Sequence, residues 1–141
     1  MPFVLDCSVT MAWVFPDEAN ARTDALRELL LSDMAVVPGL WSVEVGNVLL
    51  VATRHGRIHS RDWNRIQRAL AALPIEIDPE TQERIWQSVM PLALHYKLSV
   101  YDAVYLELAL RHKLPLATLD RELATAVRAE GGTVLAETGV S

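Results

Sequence analysis

Phe3-Val4-Leu5-Asp6-Cys7 runs apolar for three residues and then breaks on an aspartate. The segment is short, shows no helical period and carries no polar alternation, so it reads as a strand buried on both faces. Met34-Ala35-Val36-Val37, stopped by Pro38-Gly39, is a second buried strand, and Ile75-Glu76-Ile77, Leu114-Pro115-Leu116-Ala117-Thr118 and the short Thr133-Val134-Leu135 read as three further strands. Strands buried on both faces need a layer above and a layer below. A parallel sheet joined by helical crossovers supplies both.

The intervening stretches have helical spacing. A helix capped near Asp17 is predicted through about Leu31, with Ala21, Ala25, Leu26 and Leu29 inward and Arg22, Arg27 and Glu28 in water. Trp41–His55 forms the next and ends at Gly56. From Ser60, the stripe Trp63, Ile66, Leu70 and Leu73 is predicted to face the core, with Arg61, Arg65 and Arg68 opposite. Asp78-Pro79 gives a cap followed by proline at the first helical position, opening a helix to about His95. Ser99 and Asp102 resemble a capping box at the head of a helix ending near His112. A last helix spans Asp120–Glu130 and stops at Gly131-Gly132. Strand and helix alternate from end to end, without linker or repeat. Residues 1–141 are therefore expected to form a single α/β domain with a parallel sheet and helices on both faces.

Composition narrows the class. A chain of 141 residues, 51% of them apolar, buries a core and is not disordered. No apolar run reaches the ~18 residues of a membrane span, and Met1-Pro2-Phe3-Val4-Leu5 leads into Asp6 with no basic leader. The lone Cys7 can form no internal disulfide and is expected as a small core residue. These features fit a cytoplasmic protein with no membrane association. The net charge of −5 argues against a general nucleic-acid binder, but a nuclease needs only a local acidic centre with basic flanks.

Four acids stand where apolar residues would extend the pattern. Asp6 ends the first strand, and Asp120 follows the fourth in Thr118-Leu119-Asp120. Glu44 lies among Val43, Val45 and Val48, and Asp102 sits inside Val100-Tyr101-Asp102-Ala103-Val104. Each has a plain local reading. Asp6 can cap a helix starting near Ser8, Glu44 can complement a helix dipole, Asp102 can partner Ser99, and Asp120 can cap the last helix. Yet all four fall at the carboxyl ends of strands or the helix starts beside them, where open parallel sheets bind ligands. Two carboxylates ~4 Å apart repel by roughly 4 kcal/mol at an effective dielectric near 20. A converging set therefore calls for a cation, and an all-oxygen site suits Mg²⁺ or Mn²⁺. Such an ion orients water for attack on a phosphodiester. Ser8 and Thr118 offer hydroxyls to steady a carboxylate or a bound water.

Leu5-Asp6-Cys7-Ser8, Val37-Pro38 with Glu44 and Asn47, Ser99-Val100-Tyr101-Asp102-Ala103 and Leu116-Ala117-Thr118-Leu119-Asp120 follow one another in an order that resembles the motif series of PIN domains, and more closely the VapC-type toxins. The resemblance spans nearly the whole chain. It implies a sheet ordered 3-2-1-4-5, Mg²⁺ or Mn²⁺ held by Asp6, Glu44, Asp102 and Asp120, and endonucleolytic cleavage of RNA. It also implies a homodimer and a cognate VapB-type antitoxin. A PIN-fold nuclease of RNA processing and a non-catalytic metal-binding or interaction module are the alternatives.

The remaining features are read as follows. Arg61, Arg65 and Arg68, with Arg54 and Arg57, form the most basic stretch and are either an RNA-holding face or a solvated one. His55 and His59 have metal-pair spacing but are split by Gly56. Trp13, Trp41, Trp63 and Trp86 are expected in the core, with a partner surface at Trp13 or Trp41 as the alternative. Tyr101 and Tyr105 flank the acidic helix start and are expected to pack, with contact to substrate as the alternative. A receiver domain would need paired acids after the first strand and a late lysine, and a haloacid-dehalogenase phosphatase would need an acid at position 8, which is Ser.

Overall fold

The computed structural model describes residues 1–136. Its centre is β1 (Phe3–Leu5), with every residue buried. β2 (Ala35–Pro38) lies on one side and β4 (Leu116–Ala117) on the other, both parallel to it. β3 (Ile75–Asp78) pairs with β2, and β5 (Val134–Leu135) with β4. The five parallel strands stand in the order 3-2-1-4-5.

Alternate strand residues face opposite ways, and the two cores follow that alternation. Phe3, Leu5, Ala35, Val37 and Ala117 join one core with α1 (Cys7–Val14), α2 (Ala21–Leu29), α3 (Leu40–Arg54) and α4 (Trp63–Ala71). Val4 and Leu116 join the other with α6 (Met90–Tyr96), α7 (Val100–His112) and α8 (Arg121–Ala129), which follow the short α5 (Thr81–Arg84). Right-handed crossovers require this division. The chain steps from β1 outward to β3 over one face, crosses back, and steps outward to β5 over the other.

Several sequence expectations are corrected. The first strand ends at Leu5, because the Asp6 carboxyl accepts the Val9 N–H and starts α1 at Cys7. Cys7 is accordingly half-buried against the core rather than inside it. α2 begins at Ala21, where the Asn20 side chain accepts the Arg22 and Thr23 amides, each at 2.9 Å. Its buried side is Thr23, Leu26 and then Leu30, whereas Leu29 is exposed. The helix expected from Pro79 to His95 is interrupted by a wide turn over Ile85–Val89. Pro91, which has no N–H and crowds the carbonyl four residues back, accounts for the widening. Trp63 and Trp86 are not core residues. Trp63 is 39% exposed, with its indole N–H donating to Thr53 Oγ1 at 3.0 Å, and Trp86 is 76% exposed.

One buried ion cluster pins α7 to β3. Arg111 donates from Nη2 to Asp78 Oδ2 at 2.9 Å, from Nη1 to Asp78 Oδ1 at 3.0 Å, and from Nε to Glu107 Oε2 at 2.9 Å. The forked guanidinium matches this geometry and holds the Asp78 carboxyl well below its ordinary range. Among the described residues, no helix is long and apolar enough to cross a membrane.

Candidate metal and nuclease centre

Because Leu5 pairs with Ala117, the next residues on the two central strands, Asp6 and Thr118, meet at the carboxyl end of the sheet. The Asp6 N–H donates to Ala117 O at 3.2 Å and prolongs the pairing by one bond. The carboxyl is then held on both sides. Ser8 Oγ donates to Oδ1 at 2.5 Å, and Thr118 Oγ1 donates to Oδ2 at 2.5 Å. These hydroxyls are themselves fixed, Ser8 Oγ by the Leu119 N–H and Thr118 Oγ1 by the Asp120 N–H, both at 3.0 Å. A network therefore stitches the end of β1 to the turn after β4. Asp6 is only 5% exposed. Burial raises its carboxyl from 3.8 to about 6, against the lowering effect of both hydroxyls.

Asp120 caps α8, its Oδ1 accepting the Leu123 N–H at 3.0 Å. Asp102 lies in the first turn of α7, where Ser99 Oγ accepts its N–H at 3.1 Å. The Asp102 carboxyl is half-buried and raised, first by burial and then by the charge of Asp120. Glu44 sits on α3, half-buried, and Tyr105 Oη donates to its Oε1 at 2.5 Å. It too is raised by burial and by the charges of Asp6 and Asp102.

All four acids thus stand at the carboxyl end of the sheet, linked by the charges they exert on one another. No three Asp, Glu, His or Cys side chains among the described residues are gathered as a ready-made ligand set. The chemistry of the donors nevertheless suits a hard divalent cation: all are carboxylates, and the charges acting on Glu44 and Asp102 are other carboxylates.

The basic stretch runs along the far end of α3 and back beside it. Arg54 lies ten residues beyond Glu44 along α3, about 15 Å at 1.5 Å per residue, and α4 returns along α3, with Gln67 and Gly46 lining one groove. Arg61, Arg65 and Arg68 are exposed, Arg65 lies 3.6 Å from Asp62, and Ile66 is the buried residue of that helix. Arg57 is engaged by Asp17 and Glu18 and lies 3.9 Å over the Phe15 ring. His59 Nδ1 accepts the Arg61 N–H as a helix cap. Trp13 donates to Thr23 O at 2.7 Å. Trp41 is buried, donates to Thr10 Oγ1 at 2.9 Å, and lines an apolar groove of about 360 Å³ with Val45, Leu49, Ile66, Leu70 and Ile75.

Tyr105 is the site residue that sequence reasoning took for simple packing. It does pack, at 2% exposure, but its hydroxyl reaches Glu44. The available signal was its spacing: three residues after Asp102 on a helix places both on one face.

The family model for the PIN domain matches residues 3–128. Ribonuclease VapC1 of Mycobacterium tuberculosis is 33% identical over 129 residues, covering 86% of this chain and 90% of that protein. Among solved structures, PAE2754 from Pyrobaculum aerophilum superposes with a TM-score of 0.68 at 25% identity, covering 95% of this chain and 89% of its own. VapBC2 from Rickettsia felis, bound to a DNA fragment from its promoter, shares the fold with a TM-score of 0.64 at 11% identity, over 95% and 97% of the two chains. A parallel sheet in this order, carrying these acids at its carboxyl end, and a family match over most of its length lead to one assignment: the chain belongs to the PIN-domain family.

Proposed function

We propose that this protein is a metal-dependent endoribonuclease, the toxin of a toxin–antitoxin pair acting in the cytoplasm. The observation that carries the reading is Asp6. It is buried at the end of the central strand and held by two hydroxyls; its charge acts on Glu44, Glu44 also feels Asp102, and both of these acids are raised as it is. A fold spends such a costly arrangement where a cation belongs. The kinship with ribonuclease VapC1 supports RNA as the substrate, and the fold shared with VapBC2 of Rickettsia felis is in keeping with a VapB-type antitoxin as the partner.

In this reading Asp6, Glu44, Asp102 and Asp120 hold Mg²⁺ or Mn²⁺, and Ser8 and Thr118 fix the direction of the Asp6 carboxyl. The bound ion supplies a polarised water and a charge that steadies the developing phosphate oxyanion. The α/β frame holds the acids still, so that the scissile phosphate is set in line with the attacking water. Attack breaks the bond between phosphorus and the 3′ oxygen, leaving a 3′-hydroxyl upstream and a 5′-phosphate downstream. Arg61, Arg65 and Arg68 hold the flanking RNA. The protein acts as a homodimer, for which exposed apolar side chains at Val43, Ile77, Tyr101 and Trp86 offer surface.

The test uses purified, antitoxin-free protein on RNA with and without EDTA, with end analysis of the products. Cleavage that stops in EDTA and leaves 5′-phosphates is expected. Cleavage that continues in EDTA, or ends in a 2′,3′-cyclic phosphate, would show that the RNA 2′-hydroxyl is the nucleophile and that the acids serve another purpose.

A further inference from the structure

The geometry points to Tyr105 as a positioning residue that holds Glu44 in place for the metal centre, an inference that rests on the proposed metal-dependent activity. Glu44 belongs to α3, packed on one face of the sheet, and Tyr105 to α7, on the other. The two residues are 61 apart in sequence, and the bond between Tyr105 Oη and Glu44 Oε1 is 2.5 Å. It ties the two helices together where they flank the end of the sheet. Asp102 lies one turn before Tyr105 on α7. The bond therefore sets Glu44 relative to the helix that carries another of the acids.

A glutamate side chain has more rotamer freedom to lose than almost any other. Glu44 is only half-buried, so packing alone leaves it mobile. Tyr105 is among the largest fully enclosed side chains of its core, with Val104 and Leu106 buried beside it. Its ring has few torsions, and these are fixed by packing. A hydrogen bond from so rigid a donor orders one carboxylate oxygen in advance. It also leaves Glu44 its charge, which a basic partner would have neutralised. Groups that orient a metal ligand in this way commonly change affinity by about 10–100-fold when removed.

The experiment is a double-mutant cycle read by Mn²⁺ titration of the antitoxin-free protein, without RNA, using Tyr105→Phe, Glu44→Gln and the pair. Tyr105→Phe keeps the ring and removes the hydroxyl. It is expected to weaken Mn²⁺ binding by about tenfold in the wild-type background and to add nothing to Glu44→Gln. In cleavage assays it should lower kcat and leave KM for RNA unchanged. Equal losses in both backgrounds would assign Tyr105 a general structural role and overturn the inference, as would unchanged Mn²⁺ affinity in Tyr105→Phe. If Glu44→Gln itself leaves Mn²⁺ affinity intact, the metal-site reading fails and the inference with it. Should Tyr105→Phe not fold, Glu44→Asp carries the test, because it keeps the charge but withdraws it one methylene from Tyr105. Wild-type Mn²⁺ affinity in Glu44→Asp would then overturn the inference.

Discussion

A site that gathers carboxylates for a cation should weaken the protein when the cation is gone, and Asp6→Asn measures by how much. Burial raises Asp6 from 3.8 to about 6. At 1.36 kcal/mol per pKa unit, ionising it inside the fold costs about 3 kcal/mol more than in the unfolded chain. The sign follows from the direction. Between about pH 4 and 6 the folded protein binds a proton that the unfolded chain has released, so stability rises as pH falls through that window. Between about pH 7.5 and 5, Asp6 alone should add about 1.4 kcal/mol. Glu44 and Asp102, also raised, act in the same direction. The amide of the Asp6→Asn variant is neutral throughout, so the part of the slope that Asp6 contributes would be lost. At pH 7.5 in EDTA the variant should be more stable than wild type, by less than the full ~3 kcal/mol. The reason is that its amide must re-pair with Ser8 and Thr118, at roughly 0.5–1.5 kcal/mol per altered bond. The assay is urea unfolding of both proteins at pH 7.5 and pH 5 without divalent metal, taking the difference between them so that other titrating groups cancel. With Mn²⁺ at pH 7.5 the order should reverse, since binding stabilises only the protein with the intact site. A difference between the two proteins that does not change with pH, or a variant less stable than wild type at pH 7.5, would refute the reasoning.

Arg111→Met should lower stability by about 3–5 kcal/mol, because it leaves the buried carboxylates of Asp78 and Glu107 without their cation; urea unfolding at pH 7 checks it. Since Asp78 is held below its ordinary value, its contribution is complete above about pH 4 and is lost only as pH falls further toward its folded pKa, a loss that Arg111→Met should abolish. Changing Arg61, Arg65 and Arg68 together to Gln should weaken RNA binding and flatten its dependence on salt, because each phosphate contact contributes to the slope. Its unfolding midpoint should barely move, as these are exposed charges, and an unchanged salt slope would return α4 to a plain solvated face. An antitoxin is expected to inhibit by inserting a basic residue of its tail among Asp6, Glu44, Asp102 and Asp120, where guanidinium matches carboxylate. If an antitoxin with those basic residues changed to Ala still binds and fully inhibits, occlusion of the RNA path is the mechanism instead.

The parts that were legible in the sequence are those where one residue carries the signal. Phe3-Val4-Leu5 has a single buried arrangement, and Asp6 and Asp120 mark the ends of their strands by breaking them. The errors have common physical origins. α1 stood only as the alternative in which Asp6 caps a helix, because Cys-Ser-Val-Thr-Met-Ala-Trp-Val is apolar on most sides, so no stripe reveals its period. The wide turn at Ile85–Val89 depends on how Pro91 is absorbed, and a local pattern does not specify that. Trp63 and Trp86 were expected inside because of their size, yet size sets how much area is at stake and not which side of a helix bears it. The Tyr105–Glu44 and Arg111–Asp78 bonds join residues 61 and 33 apart. The second leaves no mark on its own segment and the first only the spacing of Tyr105 from Asp102, so the strand order is what brings the partners together.

Capping and chemistry, set against each other by the sequence at each acid, are compatible in the geometry of Asp6 and Asp120. Asp6 caps α1 through Oδ1, which accepts the Val9 N–H at 3.3 Å, and Thr118 holds its Oδ2. Asp120 caps α8 through Oδ1. A strand that ends on an aspartate and turns at once into a helix gives that aspartate the amides of the first turn, which stabilise its ionised form and fix its rotamer. The same turn leaves it at the carboxyl end of the sheet, where the crevice lies. At Asp6 the opposing effect of burial prevails, and the carboxyl titrates near 6 despite cap and hydroxyls. A cap that served only to stabilise its helix would be ionised and solvated. Asp6 is buried and raised instead, a cost that the proposed metal site would account for.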